Sequence, residues 1–171
     1  MPDIITLLKA DHKEVKTLLK QLTAEEESEN CDELFERLYA SVKAHAKFEE
    51  EEVYPLLKQD EDTKDLALEA YEEHRQVMVL LEALHEMEDD DETCNAKMSV
   101  LSENLNHHIK EEENELLPQL KKTVSSETLG ELGKSYLKIK NGATSDAERG
   151  KSPVKATQKE ARSQKGATRS S

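Results

Sequence analysis

Two stretches of this chain repeat one arrangement of residues that bind metals. "HAKFEEEEVYPLL" begins at His45 and "HIKEEENELLPQL" begins at His108. Each has a His, a Glu four residues on (Glu49 and Glu112), a run of acids, and a Pro ten residues after the His (Pro55 and Pro118). Residues four apart share one face of an α-helix, so each stretch presents an imidazole and a carboxylate side by side. Neutral imidazole and carboxylate together suit first-row transition metals, and a Glu side chain can bridge two ions.

Helical periodicity places two more His residues with them. The apolar stripe of a first helix reads Ile5, Leu8, Val15, Leu19, Leu22, and His12 fills its one wide gap. A second reads Leu34 or Phe35, Leu38, Val42, then His45 and Glu49, then Val53 and Leu56. A third reads Ala67, Ala70 or Tyr71, His74, Val77, Leu81, Leu84, and a fourth Met98, Leu101, Leu105, His108, Glu112, Leu116, Leu120. All four helices thus turn a His inward, and two add a Glu one turn further on. Mid-helix positions on antiparallel neighbours can meet in one layer. A buried carboxylate costs several kcal/mol unless it is paired or metal-bound, and no Lys or Arg lies on these stripes. Cations would neutralise the layer, so the expectation is a dinuclear metal site made by His12, His45, Glu49, His74, His108 and Glu112.

A simpler reading competes with this. One buried His can be a hydrogen-bonded core residue, and acidic runs such as Glu49–Glu52 and Glu111–Glu113 are ordinarily solvated helix faces. Core packing does not readily generate four His, one per helix, with the same His–Glu spacing at the same repeat position. His107 is about 100° around its helix from His108 and is expected to be peripheral. His85 lies about 16 Å along the axis from His74, too far to join.

The elements that must position these residues are also legible. Gly (5) and Pro (4) are scarce, Trp is absent, and only two Phe and four Tyr occur, so the core must be aliphatic and helical. Periodic segments are expected at about 3–23, 32–59, 63–88 and 93–122, with acidic or polar breaks between them and a shorter helix at about 126–139. Asp3 is a candidate cap for the first and Ser126 for the last. His12 and His74 are 62 residues apart, while His45 and His108, Cys31 and Cys94, and Pro55 and Pro118 are each 63 apart. The fold expected is all-α: an antiparallel up-down-up-down four-helix bundle made of two related hairpins, with a short C-terminal helix.

Charge divides the chain. Residues 1–140 hold 17 Lys and Arg against 35 Asp and Glu, a net charge of −18, and residues 141–171 hold 7 against 3, a net of +4. The second stretch is too polar to bury a core and is expected to be a disordered basic tail. An acidic body argues against nucleic acid as a partner, and the tail has no aromatic residue for base stacking. The first residues lack the basic and apolar regions of a signal peptide, and no window approaches a membrane span. Two cysteines without a CxxC pair fit free thiols in a reducing cytoplasm, although a disulfide is the alternative. A cytoplasmic monomer is expected.

Taken together, His12, "HAKFE", "YEEHR" and "HIKEE", with the extensions "EEEEVYP" and "EENELLP", resemble the hemerythrin-like (HHE cation-binding) domains. The resemblance covers about residues 3–122. It implies a four-helix bundle with a non-haem di-iron centre in which Glu49 and Glu112 bridge two iron ions. Ferritin-like bundles use a Glu-x-x-His motif instead, which neither "HAKFE" nor "HIKEE" is. Oxygen-carrying members of the family have a fifth His one turn before the position of His74, where this chain has Ala70. Water, an exogenous ligand or another side chain is therefore expected there. Tyr71, three residues before His74, is either a core aromatic or a phenol donor to that gap.

The function expected is that of a di-iron protein that binds or reacts with dioxygen, nitric oxide or peroxide, in sensing, scavenging or oxidative-stress defence. The alternative is a protein that stores or senses iron without turnover, and a metal-free structural bundle is a third reading. No Ser/His/Asp arrangement or phosphate loop is present, so any enzymology would be the metal's own.

Overall fold

The structure is a computed structural model that describes residues 2–24, 30–88 and 91–149. Among the described residues all regular structure is helical and there is no strand. The helices are α1 (Ile4–Leu22), α2 (Cys31–Phe48), α3 (Tyr54–Leu57), α4 (Lys64–His85), α5 (Cys94–Glu111), α6 (Leu117–Thr123) and α7 (Ser126–Arg149). A five-residue π turn at Glu49–Val53 joins α2 to α3, and another at Glu112–Leu116 joins α5 to α6.

Local chemistry sets the helix ends. Asp3 caps α1, its carboxylate accepting from the Thr6 N–H at 2.9 Å. The Thr63 hydroxyl donates to the Leu57 carbonyl at 2.6 Å and pins the link into α4. At α7 the capping acceptor is Ser125, not Ser126, because the Thr128 N–H donates to the Ser125 hydroxyl at 3.1 Å.

Proline accounts for the two π turns. Pro55 and Pro118 lack the N–H that an α-helix would donate four residues back, and their rings press on that carbonyl. The chain widens instead, with the Tyr54 N–H donating to the Glu49 carbonyl and the Leu117 N–H to the Glu112 carbonyl, each five residues back. The extra residue shifts the stripe. Straight helical spacing predicts Leu56 inward, whereas the structure buries Leu57 and leaves Leu56 half-buried.

The apolar core falls into two clusters. Ile4 and Leu8 of α1, Phe48, Val53 and Leu57, Ala67 and Ala70 of α4, and Leu116 and Leu120 belong to one. Val15 and Leu19 of α1, Leu38 and Val42 of α2, Val77 and Leu81 of α4, and Leu101 and Leu105 of α5 belong to the other. Along α1 and α4 the chain passes from the first cluster to the second, and it passes back along α2 and, after α5, in the π turn at Leu116. The change of cluster falls around the His in α1, α2 and α4 and beyond it in α5.

Helix α7 packs on α1 and α2, burying Leu129, Leu132 and Tyr136 in the first cluster. Gly133 allows the close approach, since a Cβ there would lie 2.7 Å from the Pro2 carbonyl oxygen. The boundary expected at residue 140 falls inside this helix, which at 24 residues is longer than the short one expected. Residues 150–171 of the expected tail lie outside the described residues. Cys31 and Cys94 are exposed and are the first residues of α2 and α5. No helix among the described residues is long and apolar enough to cross a membrane.

Candidate metal centre

His12 of α1, His45 of α2, His74 of α4 and His108 of α5 are all buried and point their Nε2 atoms into one layer between the two apolar clusters. Glu49 and Glu112, the first residues of the two π turns, reach the same layer at 0% and 2% exposure. The structure therefore brings together all six residues that the sequence singles out. They form two groups of ligand atoms, one from His12, His45 and Glu112 and one from Glu49, His74 and His108, with the atoms of each group within 4.8 Å of one another.

Each Glu also touches the opposite group. Glu112 Oε2 lies 3.0 Å from His12 Nε2, 3.7 Å from His45 Nε2 and 3.5 Å from His108 Nε2. Glu49 Oε2 lies 3.1 Å from His45 Nε2 and 3.4 Å from His74 Nε2. Each carboxylate thus lies between the two groups.

The outward nitrogen of every His faces another carboxylate. A carboxylate only accepts, so the His12 Nδ1–H donates to Glu113 at 2.9 Å, that of His74 to Glu50 at 3.1 Å and that of His108 to Glu73 at 2.7 Å. His45 Nδ1 faces Asp11 at 3.6 Å. These contacts run around the molecule in a closed ring: α1 supports α2, the end of α2 supports α4, α4 supports α5, and the end of α5 supports α1. Such partners fix the tautomer and orientation of metal-binding imidazoles. Asp11, the shortest of the four acids, is itself held by the Tyr136 hydroxyl and the Lys140 ammonium of α7.

Charge in the layer is strongly coupled. Burial disfavours the charged form of His45, but Glu49, Asp11 and Glu112 outweigh it and hold its pKa well above 6.5. Burial opposes protonation of His74 too, and Glu49 and Glu50 overcome it, raising its pKa to about 9. Burial pushes Glu49 up, yet His45 and His74 pull it well below the usual carboxylate range. Asp11 is also lowered, because His45, Lys140 and Tyr136 outweigh its burial.

These residues fit metal ions on two observations. His12 Nε2, His45 Nε2, Glu49 Oε1 and both oxygens of Glu112 are buried without a hydrogen-bond partner, although oppositely charged atoms lie nearby. Such atoms are close but not aligned for hydrogen bonding, and leaving them so is costly. The spacing is also that of donors sharing one ion. Two atoms each about 2.0–2.1 Å from a metal stand about 2.9–3.4 Å apart at octahedral to tetrahedral angles. His74 and His108 Nε2 are 3.0 Å apart, as are His12 Nε2 and Glu112 Oε2. A cavity of about 20 Å³ adjoins the four His, walled by Val15, Val42, Val77, Leu105 and Ile109. It has room for about one water-sized group.

Other residues fall elsewhere. His107 is exposed on the outer face of α5 and pairs with Glu111 at 3.3 Å, and His85 stacks on Tyr39 with centroids 4.2 Å apart. The Tyr71 hydroxyl donates to the Glu50 carbonyl at 2.9 Å and does not face the layer. The phenol that does is Tyr54, fully buried, with its oxygen 3.2 Å from Glu49 Oε2 and 3.1 Å from His74 Nε2. An α-helix would turn Tyr54 about 140° away from Glu49, whereas the π turn keeps both on one face. The cue in the sequence was the proline after it.

Comparison with known proteins shows what this chain is similar to. The sequence profile described as the hemerythrin HHE cation-binding domain matches residues 3–120. A crystal structure of a hemerythrin HHE cation-binding domain-containing protein from Mycobacterium kansasii superposes with a TM-score of 0.73 at 26% identity, covering 88% of this chain and 94% of that one. A Nostoc protein named DNA nickase is 26% identical over 128 residues, which are 73% of this chain. The match spans 35% of the length of that relative.

Proposed function

The chain belongs to the hemerythrin HHE cation-binding family, and on that premise we propose that it is a non-haem di-iron protein that binds or reacts with dioxygen, nitric oxide or peroxide. The observation that carries this reading is the set of buried imidazole and carboxylate atoms that face one another at ligand spacing without hydrogen-bond partners. His12, His45 and Glu112 would hold one ion, and Glu49, His74 and His108 the other. The alternating order of the helices through the two core clusters supports an up-down-up-down bundle as the scaffold.

When bound, iron supplies the redox chemistry and the position at which a small ligand attaches. The protein's own residues do the rest. Glu113, Asp11, Glu50 and Glu73 orient the imidazoles. The Tyr54 hydroxyl, between Glu49 and His74, can give a hydrogen bond to a group bound where Ala70 replaces the family's further His. The small apolar cavity beside the four His limits what can approach to molecules of a few atoms. That combination favours ligand binding and redox reaction over storage of many ions.

Two cysteines without a CxxC pair fit a reducing compartment such as the cytoplasm, and a monomer is the assembly we propose. We do not extend the DNA chemistry of the Nostoc relative to this chain, because a body of net charge −18 repels a phosphate backbone.

Iron quantification after anaerobic reconstitution, followed by stopped-flow mixing with peroxide, tests the proposal. Stoichiometric iron with rapid spectral change and peroxide consumption is expected. Stoichiometric iron that stays inert would instead favour iron storage or sensing, and no bound iron would leave only a helical scaffold.

A further inference from the structure

A third group of ligand atoms lies outside the buried layer. Glu73 of α4 faces His107 and Glu111 of α5, with Glu73 Oε1 3.5 Å and Glu111 Oε1 3.3 Å from His107 Nε2. Those separations match two donors about 2.0–2.1 Å from one ion at near-tetrahedral angles. His107 and Glu111 are four residues apart on one helix face, and Glu73 completes the group from across the helix pair. Three protein ligands leave further positions to water, which suits an ion that binds and leaves again.

Glu73 joins this group to the buried one. While Oε1 faces His107, Oε2 accepts from the Nδ1–H of His108 at 2.7 Å. Beside it a second cavity of about 20 Å³ runs between α4 and the α5 end. Exposed Glu69 and Glu115 and half-buried Glu73 and Glu111 line it together with three aliphatic residues, and buried His108 and Glu112 also form part of its wall. Glu112 is 2% exposed and neither of its oxygens has a hydrogen-bond partner, so a residue with an unsatisfied carboxylate contributes to the wall of a cleft whose other charged residues are acidic. A cleft lined by one sign of charge concentrates the opposite sign.

We propose that Glu73, His107 and Glu111 form an outer divalent-cation site, and that the acidic cleft beside it is the route by which ions reach the buried pair. The route rests on the reading that the buried residues bind ions; the outer site does not. An ion held first at His107 exchanges its waters for Glu111 and Glu73, then moves inward to Glu112 and His108. Carboxylates along the way neutralise it, so no cation crosses the apolar clusters unpaired.

Cobalt(II), whose visible spectrum reports its coordination, is the probe for the full-length protein. Equilibrium dialysis of the wild type should find three cobalt(II) ions per chain. H107A and E111Q, both at accessible positions, should bind two. In stopped flow the buried sites of these variants should fill roughly tenfold more slowly or worse, the low end of electrostatic focusing, and should still reach wild-type occupancy. Circular dichroism checks that helicity is unchanged, and H85A, an exposed His away from the cleft, should load at the wild-type rate. Equal loading rates in H107A, E111Q and wild type would overturn the route, and equal stoichiometry would overturn the outer site. A wild type that binds only one accessible ion would overturn the route and the di-iron reading together while sparing the outer site.

Discussion

Glu49 and Tyr54 stand at the two ends of one π turn, and the Tyr54 hydroxyl donates to the Glu49 carboxylate at 3.2 Å within the buried layer. The same hydroxyl is 3.1 Å from His74 Nε2. Tyr54→Phe keeps the aromatic body and removes only this oxygen. We expect the metal-free variant to lose about 1.5–3 kcal/mol, the range for a hydrogen bond to a charged group, measured by urea unfolding. In the loaded protein, iron content should stay at the wild-type level while the rate of reaction with peroxide changes. A variant with wild-type kinetics would remove Tyr54 from the chemistry.

Asp11→Ala should weaken metal binding by about 10–100-fold, the usual effect of removing a carboxylate behind a metal-binding His. Tyr136→Phe should weaken it less, because Lys140 still holds Asp11. Metal titration of both variants, with circular dichroism to check helicity, measures the effect. Unchanged affinity in Asp11→Ala would mean that α7 packs against the bundle without steadying His45.

Much of this arrangement was legible in the residues, for a definite reason. His12, His45, His74 and His108 interrupt otherwise apolar stripes of period 3.6, so helical geometry alone sends them inward. The supporting acids were harder to see because each sits beside a ligand in sequence. Asp11 precedes His12, Glu50 follows Glu49, Glu73 precedes His74 and Glu113 follows Glu112. Each points across to the next helix, so its role depends on packing between helices. The register change at the π turns was hidden as well, and with it the inward position of Tyr54. Pro55 and Pro118 marked the places, but a missing N–H can end, kink or widen a helix, and the tertiary contacts decide which.

Metal affinity should depend on pH in a stated direction. His74 titrates near 6.5 when unfolded and at about 9 in the metal-free fold. Its protonated form therefore stabilises the metal-free fold fully below about pH 6.5, and that contribution is lost as pH rises through about 9. An ion at Nε2 must displace the proton. Metal binding should release protons below pH 9 and tighten from about pH 6.5 to 9, while metal-free stability declines over the same window. A pH-stat titration with thermal melts at each pH checks both signs. A flat affinity would contradict the placement of an ion at His74.

Removing metal should cost stability. The layer then retains buried unpaired atoms on His12, His45, Glu49 and Glu112. At a hundredfold excess over Kd, one bound ion contributes about 2.7 kcal/mol, or roughly 5–10 °C for a domain of this size. Scanning calorimetry of loaded and chelator-treated protein should show a shift at least that large. Identical melting temperatures would mean that the layer is satisfied without ions.

Anomalous diffraction at the iron edge from crystals of the iron-loaded protein tests the central claim most directly. The account predicts two strong buried peaks in the layer between the apolar clusters, one against His12, His45 and Glu112 and one against Glu49, His74 and His108. A layer without peaks at saturating iron, with its imidazoles hydrogen-bonded to the carboxylates, would contradict it.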